Sequence, residues 1–364
     1  MEVLLLSPFH GKSSHASWAE GYKKHSEHAV NCLTLPDRSW SWRLKNGSVP
    51  LAMAALDLET NFDIILATSL TCLSTFLALT RRSRMAGLPC VYYMHENQLT
   101  YPIRPGGKRD AQLVLRQFQS QLVADEVWFN SEHNRSSWFK QLPKFLRNFP
   151  DHQGLELLEK LEQKAKVVPV GLSLAEHPPM LDVDQKPLLL WNQRWEWEKG
   201  TDRFLALLKK FGPDVPFDVV LLGPDARPQD LLRQDLRELL GPRLLHEGWC
   251  EKTEYISWLS KATFTVSVAR HEFFGISILE AAAHGCFTVL PQELSYPEIV
   301  PQELHEKCLY RSPKDLYRKI KAYLNSPLEL QATRASLQKT AYTYCWRSLA
   351  ERYDQELQAL SHGV

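Results

Sequence analysis

Short apolar stretches rich in β-branched and aromatic residues recur along this chain of 364 residues, and longer helical stretches separate them. That alternation limits the folds open to it. One set of apolar runs covers residues 3–7, 30–35, 63–68, 89–94, 126–130 and 166–170; a second covers 188–192, 217–222, 244–247, 263–268 and 287–290. Runs such as Ile64-Ile65-Leu66 and Val219-Val220-Leu221-Leu222 show no apolar–polar alternation, which suits strands covered on both faces. Strands alternating with helices in this way predict parallel sheets of βαβ units. Residues 171–187, with Pro178, Pro179 and Pro187 and little periodicity, read as a linker between the two sets. The expected architecture is α/β: two Rossmann-like domains facing each other across a cleft. Residues 1–172 form the first domain, 173–186 the linker and 187–345 the second. The last helical segment, 346–364, is open to packing back on the first domain. In such sheets ligands bind at the C-terminal ends of the strands.

Composition narrows the class. An apolar content of 44% with 23% charged residues fits an ordinary globular protein. A net charge of +1 excludes wholesale polycationic binding of nucleic acid but leaves room for a local basic patch. The seven cysteines form no C-x-x-C pair, so neither a zinc knuckle nor a redox pair is indicated; the count suits buried free thiols in a reducing compartment. The first residues, Met1-Glu2-Val3-Leu4-Leu5-Leu6, lack a basic lead, and no apolar stretch reaches the length of a bilayer span. A cytoplasmic enzyme is the expectation, with surface attachment to a membrane left open.

The chemistry concentrates between His271 and Glu280. Glu272 and Glu280 are eight positions apart with Phe273-Phe274-Gly275 between them. Glu272 falls in the loop after the 263–268 run, and Glu280 inside the helix that starts near Gly275. A loop-to-helix junction offers N–H groups to a phosphate, while the carboxylates accept from sugar hydroxyls. The pattern resembles the Glu-x7-Glu of nucleotide-sugar transferases. Earlier in the chain, Arg194 and Lys199 flank a loop after the 188–192 run. Two fixed cations suit a departing nucleoside diphosphate, whose negative charge grows as the glycosidic bond breaks. The plainer reading pairs them with Glu196 or Glu198 at the surface. Gly223 and Trp249, each just after an apolar run, are expected to line the nucleotide pocket.

In the first domain, His95-Glu96-Asn97-Gln98 follows the 89–94 run, where a strand opens toward its ligand side. His95 is placed to orient an acceptor or hydrogen-bond a sugar. Gly11 and Ser14, after the first strand, are placed to present N–H groups to a diphosphate; the plainer reading is a βα turn with a serine N-cap. Asp182-Val183-Asp184 spells a metal–sugar motif but lies in the proline-flanked linker. It is rejected as a metal site, as are His25 and His28. No metal is expected, since Arg194 and Lys199 would take over a divalent ion's charge.

Several segments then carry a resemblance: Tyr93–Pro102 with its His95-Glu96-Asn97-Gln98, Trp40-Ser41-Trp42-Arg43, Phe129-Asn130-Ser131, Asn192–Glu196, His271–Gly275 and Tyr296–Ile299. Together they resemble the tRNA-queuosine α-mannosyltransferases, retaining enzymes of glycosyltransferase family 4 with the GT-B fold. The likeness runs along nearly the whole chain. It implies transfer of mannose from GDP-mannose to the cyclopentenediol of queuosine in the anticodon of aspartate tRNA. Arg194 and Lys199 would then hold the diphosphate and Glu280 the ribose. Glu272 and the Phe274–Ile276 backbone would hold mannose and its phosphate, and His95 would sit at the reaction centre. Glu96, Asn97, Gln98, Trp40, Trp42, Arg43 and Arg109 are expected on the acceptor side; Arg81, Arg82, Arg84 and Lys108 are further basic candidates for RNA. The family's Gly-Gly-Ser-His loop is replaced here by Gly11-Lys12-Ser13-Ser14-His15. Two other readings compete: a related transferase acting on a lipid, metabolite or saccharide, and a tRNA-binding protein without turnover. The intact Arg194, Lys199, Glu272 and Glu280 argue against the latter.

Overall fold

The structure is a computed structural model that describes residues 1–11, 13–179, 186–212, 215–223, 231–326 and 328–362. Asp182 and Asp184, rejected as metal ligands, lie outside the described residues. The chain divides into two compact units, Met1–Ser173 with Tyr344–Val364, and Leu174–Thr343.

The first unit holds a six-stranded parallel sheet: β1 (Glu2–His10), β2 (Ala29–Pro36), β3 (Ile64–Thr68), β4 (Cys90–Met94), β5 (Glu126–Phe129) and β6 (Ala165–Val167). The order is β2-β1-β3-β4-β5-β6. Every residue of β3 and β4 is buried, as their continuous apolar runs require. The order in which strands are added reverses between β1 and β3, which places the chain leaving β1 and β3 at the topological switch point. The helix Trp346–His362 belongs to this unit. Its Trp346 and Tyr353 pack on Tyr22, and Asp354 accepts from Tyr22 Oη at 2.7 Å and Ser26 Oγ at 2.6 Å. A methyl at Gly21 would collide with the Trp346 ring, so glycine is what lets that helix seat.

The second unit holds β7 (Leu188–Trp191), β8 (Asp218–Leu222), β9 (Leu244–Gly248), β10 (Phe264–Val266), β11 (Phe287–Pro291) and β12 (Leu309–Tyr310). Its order is β12-β11-β10-β7-β8-β9, again parallel throughout the described pairings, with the switch point between β7 and β10. Strand β12, two residues long, has no counterpart among the apolar runs, because two residues carry no period. All seven cysteines are free thiols. No helix among the described residues is long and apolar enough to cross a membrane.

Candidate functional site

The predicted charges of the second unit gather on the chain leaving β7 and β10. Gly200, at a φ of 78°, lies so close to β10 that a Cβ would stand 2.2 Å from the Val268 carbonyl oxygen. The 194–199 loop is thereby drawn against the segment that follows β10. Lys199 Nζ donates to Glu272 Oε2 at 2.8 Å, with 13% and 14% of the two side chains exposed. Burial pushes the Glu272 carboxyl up. The Lys199 charge and hydrogen bond, helped by His271 and the Phe274 N–H, outweigh that and hold it below the usual carboxylate value. Arg194 takes the pairing that Lys199 does not: its guanidinium lies 3.4 Å from Glu196 and 3.5 Å from Glu198. The Glu196 carboxyl is pushed up to about 7 by burial and by its hydrogen bond to Glu198, which Arg194 and Lys199 only partly offset.

Gly275 closes the loop at a φ of 105° and caps the helix Ile276–Ala283. Ser295 Oγ donates to the Phe274 carbonyl at 3.0 Å and fixes the loop from behind. Helix-start N–H groups have no partner within their own helix, so this turn is suited to a phosphate. One turn further on, Glu280 is tied into the protein rather than turned to water. Tyr255 Oη donates to its Oε2 at 2.7 Å, and Asn192 Nδ2 donates to Tyr255 Oη at 3.1 Å and to the Ser277 carbonyl at 2.8 Å. Burial raises the Glu280 carboxyl, and the Tyr255 hydrogen bond and Lys252 only partly restrain it. Gly223 lies against the same corner, where an added Cβ would stand 3.2 Å from the Gln193 carbonyl oxygen, and its N–H donates to Gly248 O at 3.1 Å. Trp249 follows, 47% exposed.

In the first unit His95 leaves β4 and packs its ring among His15, Trp18 and Tyr93, with centroids 4.6, 4.5 and 4.3 Å away. Its Nε2 is buried without a hydrogen-bond partner. Burial, then the neighbouring His15, hold its pKa well below the usual histidine value, so the ring is neutral at pH 7. The loop beyond it is internally braced. Asn97 is fully buried; its Nδ2 donates to Asn134 Oδ1 at 2.7 Å and its Oδ1 accepts from the Thr100 N–H at 2.7 Å. Gln98 Nε2 donates to Glu96 Oε1 at 3.0 Å. Arg109 donates to the carbonyls of Gln98 and Tyr101. Asn97 and Arg109 thus act on the shape of the loop, while Glu96 and Gln98 remain partly exposed. Gly11 and Ser14 are exposed, and the serine that caps the helix Ser14–His25 is Ser13, whose Oγ accepts from the Ala16 N–H at 3.1 Å. Trp40 and Trp42 stand 40% and 58% exposed, and Arg43 Nε donates to the Pro36 carbonyl.

A family model described as the N-terminal part of tRNA-queuosine alpha-mannosyltransferase matches residues 2–172, and one described as glycosyl transferases group 1 matches residues 175–344. The chain is 30% identical over 339 residues to the tRNA-queuosine alpha-mannosyltransferase of Drosophila melanogaster, covering 89% of this chain and 87% of that one. It belongs to the tRNA-queuosine α-mannosyltransferase family. It is therefore a glycosyltransferase, and solved structures agree on the fold. Sucrose-phosphate synthase from Thermosynechococcus elongatus superposes with a TM-score of 0.75 over 100% of both chains at 14% identity. Anabaena HepE in complex with UDP does so at 0.69, over 99% of this chain and 100% of that one, at 13% identity. The fold is GT-B, as the sequence resemblance implied.

Within this glycosyltransferase, three supporting residues escaped sequence reasoning. Tyr255 and Ser295 sit on elements without charge motifs, and only the Tyr296–Ile299 segment beside Ser295 gave a hint. Gln117 donates to the Glu96 carbonyl at 3.1 Å and accepts from the Gln98 N–H at 2.7 Å, yet a glutamine on an amphipathic helix carries no signal in sequence.

Proposed function

We propose that this protein moves mannose from GDP-mannose to the cyclopentenediol of queuosine in the anticodon of aspartate tRNA, in the cytoplasm, with retention at the anomeric carbon and without a metal ion. The observation that carries this reading is the 30% identity to the Drosophila enzyme, spread over 89% of the chain. The charges of the second unit support it. The acceptor hydroxyl attacks the anomeric carbon from the face that the diphosphate is leaving. As the new C–O bond forms and the old one breaks, the departing phosphate takes the hydroxyl proton and GDP is released. Protein groups act by positioning and by offsetting charge.

Lys199 and Arg194 receive the charge that grows on the diphosphate, and the turn Phe274–Ile276 adds backbone N–H groups. At rest both cations face carboxylates, so donor binding exchanges Glu196 and Glu198 for phosphate around Arg194. Glu272, kept ionised by Lys199, accepts from a mannose hydroxyl. Glu280, already holding Tyr255, accepts from the ribose. Gly223 and Trp249 line the nucleoside pocket. In the first unit the neutral His95 offers its unpaired Nε2 to the acceptor. Glu96 and Gln98 meet the queuosine ring, and Trp40, Trp42 and Arg43 meet RNA. The test is hexose addition to queuosine-containing tRNA with a panel of GDP- and UDP-sugars, read by nucleoside mass spectrometry. A hexose on queuosine of aspartate tRNA, supplied by GDP-mannose, is the expected result. Transfer only to a lipid or free saccharide, or tRNA binding with no transfer from any donor, would refute it.

A further inference from the structure

Three elements of the second unit meet at Glu280. Asn192 is the first residue after β7, Tyr255 lies on the helix Lys252–Lys261, and Ser277 and Glu280 share the helix Ile276–Ala283. The hydrogen bonds among them run in one direction. The Ser277 carbonyl can only accept, so the Asn192 atom 2.8 Å from it is the amide nitrogen. The second hydrogen of that nitrogen goes to Tyr255 Oη at 3.1 Å. Tyr255 has a single hydroxyl proton, and it goes to Glu280 Oε2 at 2.7 Å, because a carboxylate only accepts.

This relay occupies one oxygen of the carboxyl. Among the described residues no other side chain hydrogen-bonds it, and Glu280 is half-buried, so Oε1 is the oxygen left for a ligand. Burial raises the Glu280 carboxyl; the Tyr255 hydrogen bond, followed by the Lys252 charge, restrains it. A fixed donor on Oε2 also fixes the plane of the carboxyl and presents Oε1 in one orientation. Covering that oxygen with a nucleotide that lacks the matching hydroxyls would leave it unpaired, which costs binding.

We propose that Asn192 and Tyr255 are positioning residues for the donor nucleotide: by holding Oε2 of Glu280 they present Oε1 to the ribose hydroxyls and make the site select a ribonucleotide over one without those hydroxyls. The proposal rests on the contact between Glu280 and the ribose proposed above. Tyr255 acts through Glu280 and does not itself touch the nucleotide. Without its hydroxyl the carboxyl turns about its last side-chain bond and finds water or a proton instead, so the preference for hydroxyls fades. The base plays no part in this selection, which therefore holds for guanosine and uridine nucleotides alike.

The test is calorimetric titration of the full chain with GDP, UDP and the 2′,3′-dideoxy form of each, read on the base that the wild type binds. The wild type is expected to bind the ribonucleotide at least about tenfold more tightly than its dideoxy counterpart, as the loss of a hydrogen bond to a charged group requires. Tyr255→Phe keeps the ring and should bring that ratio below about threefold, almost wholly by weakening the ribonucleotide. A merely loosened fold would weaken both ligands alike and leave the ratio at its wild-type value, which would overturn the proposal. Asn192→Asp cannot donate to Tyr255 and competes for its proton, so it should lower the ratio as well. In Glu280→Gln, adding Tyr255→Phe should change the ratio no further. A wild type that binds neither nucleotide, or that binds both forms equally with Glu280→Gln changing nothing, would take the ribose away from Glu280 and this inference with it. A wild-type preference that depends on Glu280 but survives Tyr255→Phe would leave the ribose on Glu280 and overturn the role of Tyr255 alone.

Discussion

Lys199 Nζ meets the Glu272 carboxylate at 2.8 Å across 73 positions of sequence, and little of either side chain reaches solvent. Removing the cation leaves a buried carboxylate uncompensated. Lys199→Gln is therefore expected to cost about 3 kcal/mol in urea unfolding at pH 7, and to depress transfer more strongly than it raises the KM for tRNA. The pH dependence carries the sharper signature. In the wild type the native Glu272 carboxyl binds its proton more weakly than the unfolded one. Its contribution is complete above the unfolded carboxylate pKa and is lost as pH falls through the depressed native value. In Lys199→Gln burial dominates, the native value rises above the unfolded one, and this site then favours folding as pH falls. Urea midpoints between pH 7 and about pH 3 separate the two. An acid slope shared by both proteins would remove the pair as its source.

Gly275 joins the loop of Glu272, Phe273 and Phe274 to its helix at a φ of 105°, and a Cβ there would stand 3.0 Å from Ile299 Cδ1. Gly106 has a φ of 82° with open space around it. Both alanine variants pay the left-handed backbone strain, about 1–2 kcal/mol. Only Gly275→Ala adds a contact that the neighbouring side chain must yield to, so it should lose more stability and most of its transfer activity. Equal losses in denaturant would show that the turn does not depend on that close approach.

What could be read in the sequence follows from what repeats there. Continuous apolar runs place β3, β4, β7 and β8, because buried parallel strands demand such runs. Arg194, Lys199 and Glu272 stand out because charges just after the 188–192 and 263–268 runs fall on the ligand side of the sheet, and Glu280 stands out by its spacing from Glu272. The ties that make them a site do not stand out. Nothing in the spacing pairs Lys199 with Glu272 rather than with Glu196 or Glu198; that choice comes from Gly200 packing on Val268. Likewise Tyr255 finds Glu280, and Gln117 finds the loop after β4, only through tertiary contacts between helices whose own sequences look merely amphipathic.

His95 is held neutral by burial beside His15. The native ring binds a proton less readily than the unfolded one. The resulting stability is complete above the ordinary histidine value and is lost as pH falls through it toward the lower native value. The loss is up to about 1.4 kcal/mol for each pH unit in that window. His95→Gln should flatten this slope between pH 7 and about pH 5, seen in urea midpoints, while lowering kcat. Imidazole NMR that finds the His95 ring titrating at the ordinary value would contradict the burial argument.

Trp40 and Trp42 offer the other half of the reaction its clearest test, because their exposure separates binding from folding. An exposed tryptophan contributes little to the core, so Trp42→Ala should change stability by no more than about 0.5 kcal/mol. If a tRNA base stacks on the indole, the same change should weaken tRNA binding by about 1–3 kcal/mol, independent of ionic strength, with the KM for the proposed sugar donor unmoved. Lys108, also exposed, is expected to act on phosphate instead. Lys108→Gln should lower affinity and reduce the salt slope by about one unit. Fluorescence titrations at two salt concentrations distinguish the two modes. Stacking predicts parallel salt plots for Trp42→Ala and the wild type; a flattened plot would mean that the tryptophan acts by arranging the nearby cations, and an unchanged Kd would remove this face from the RNA path.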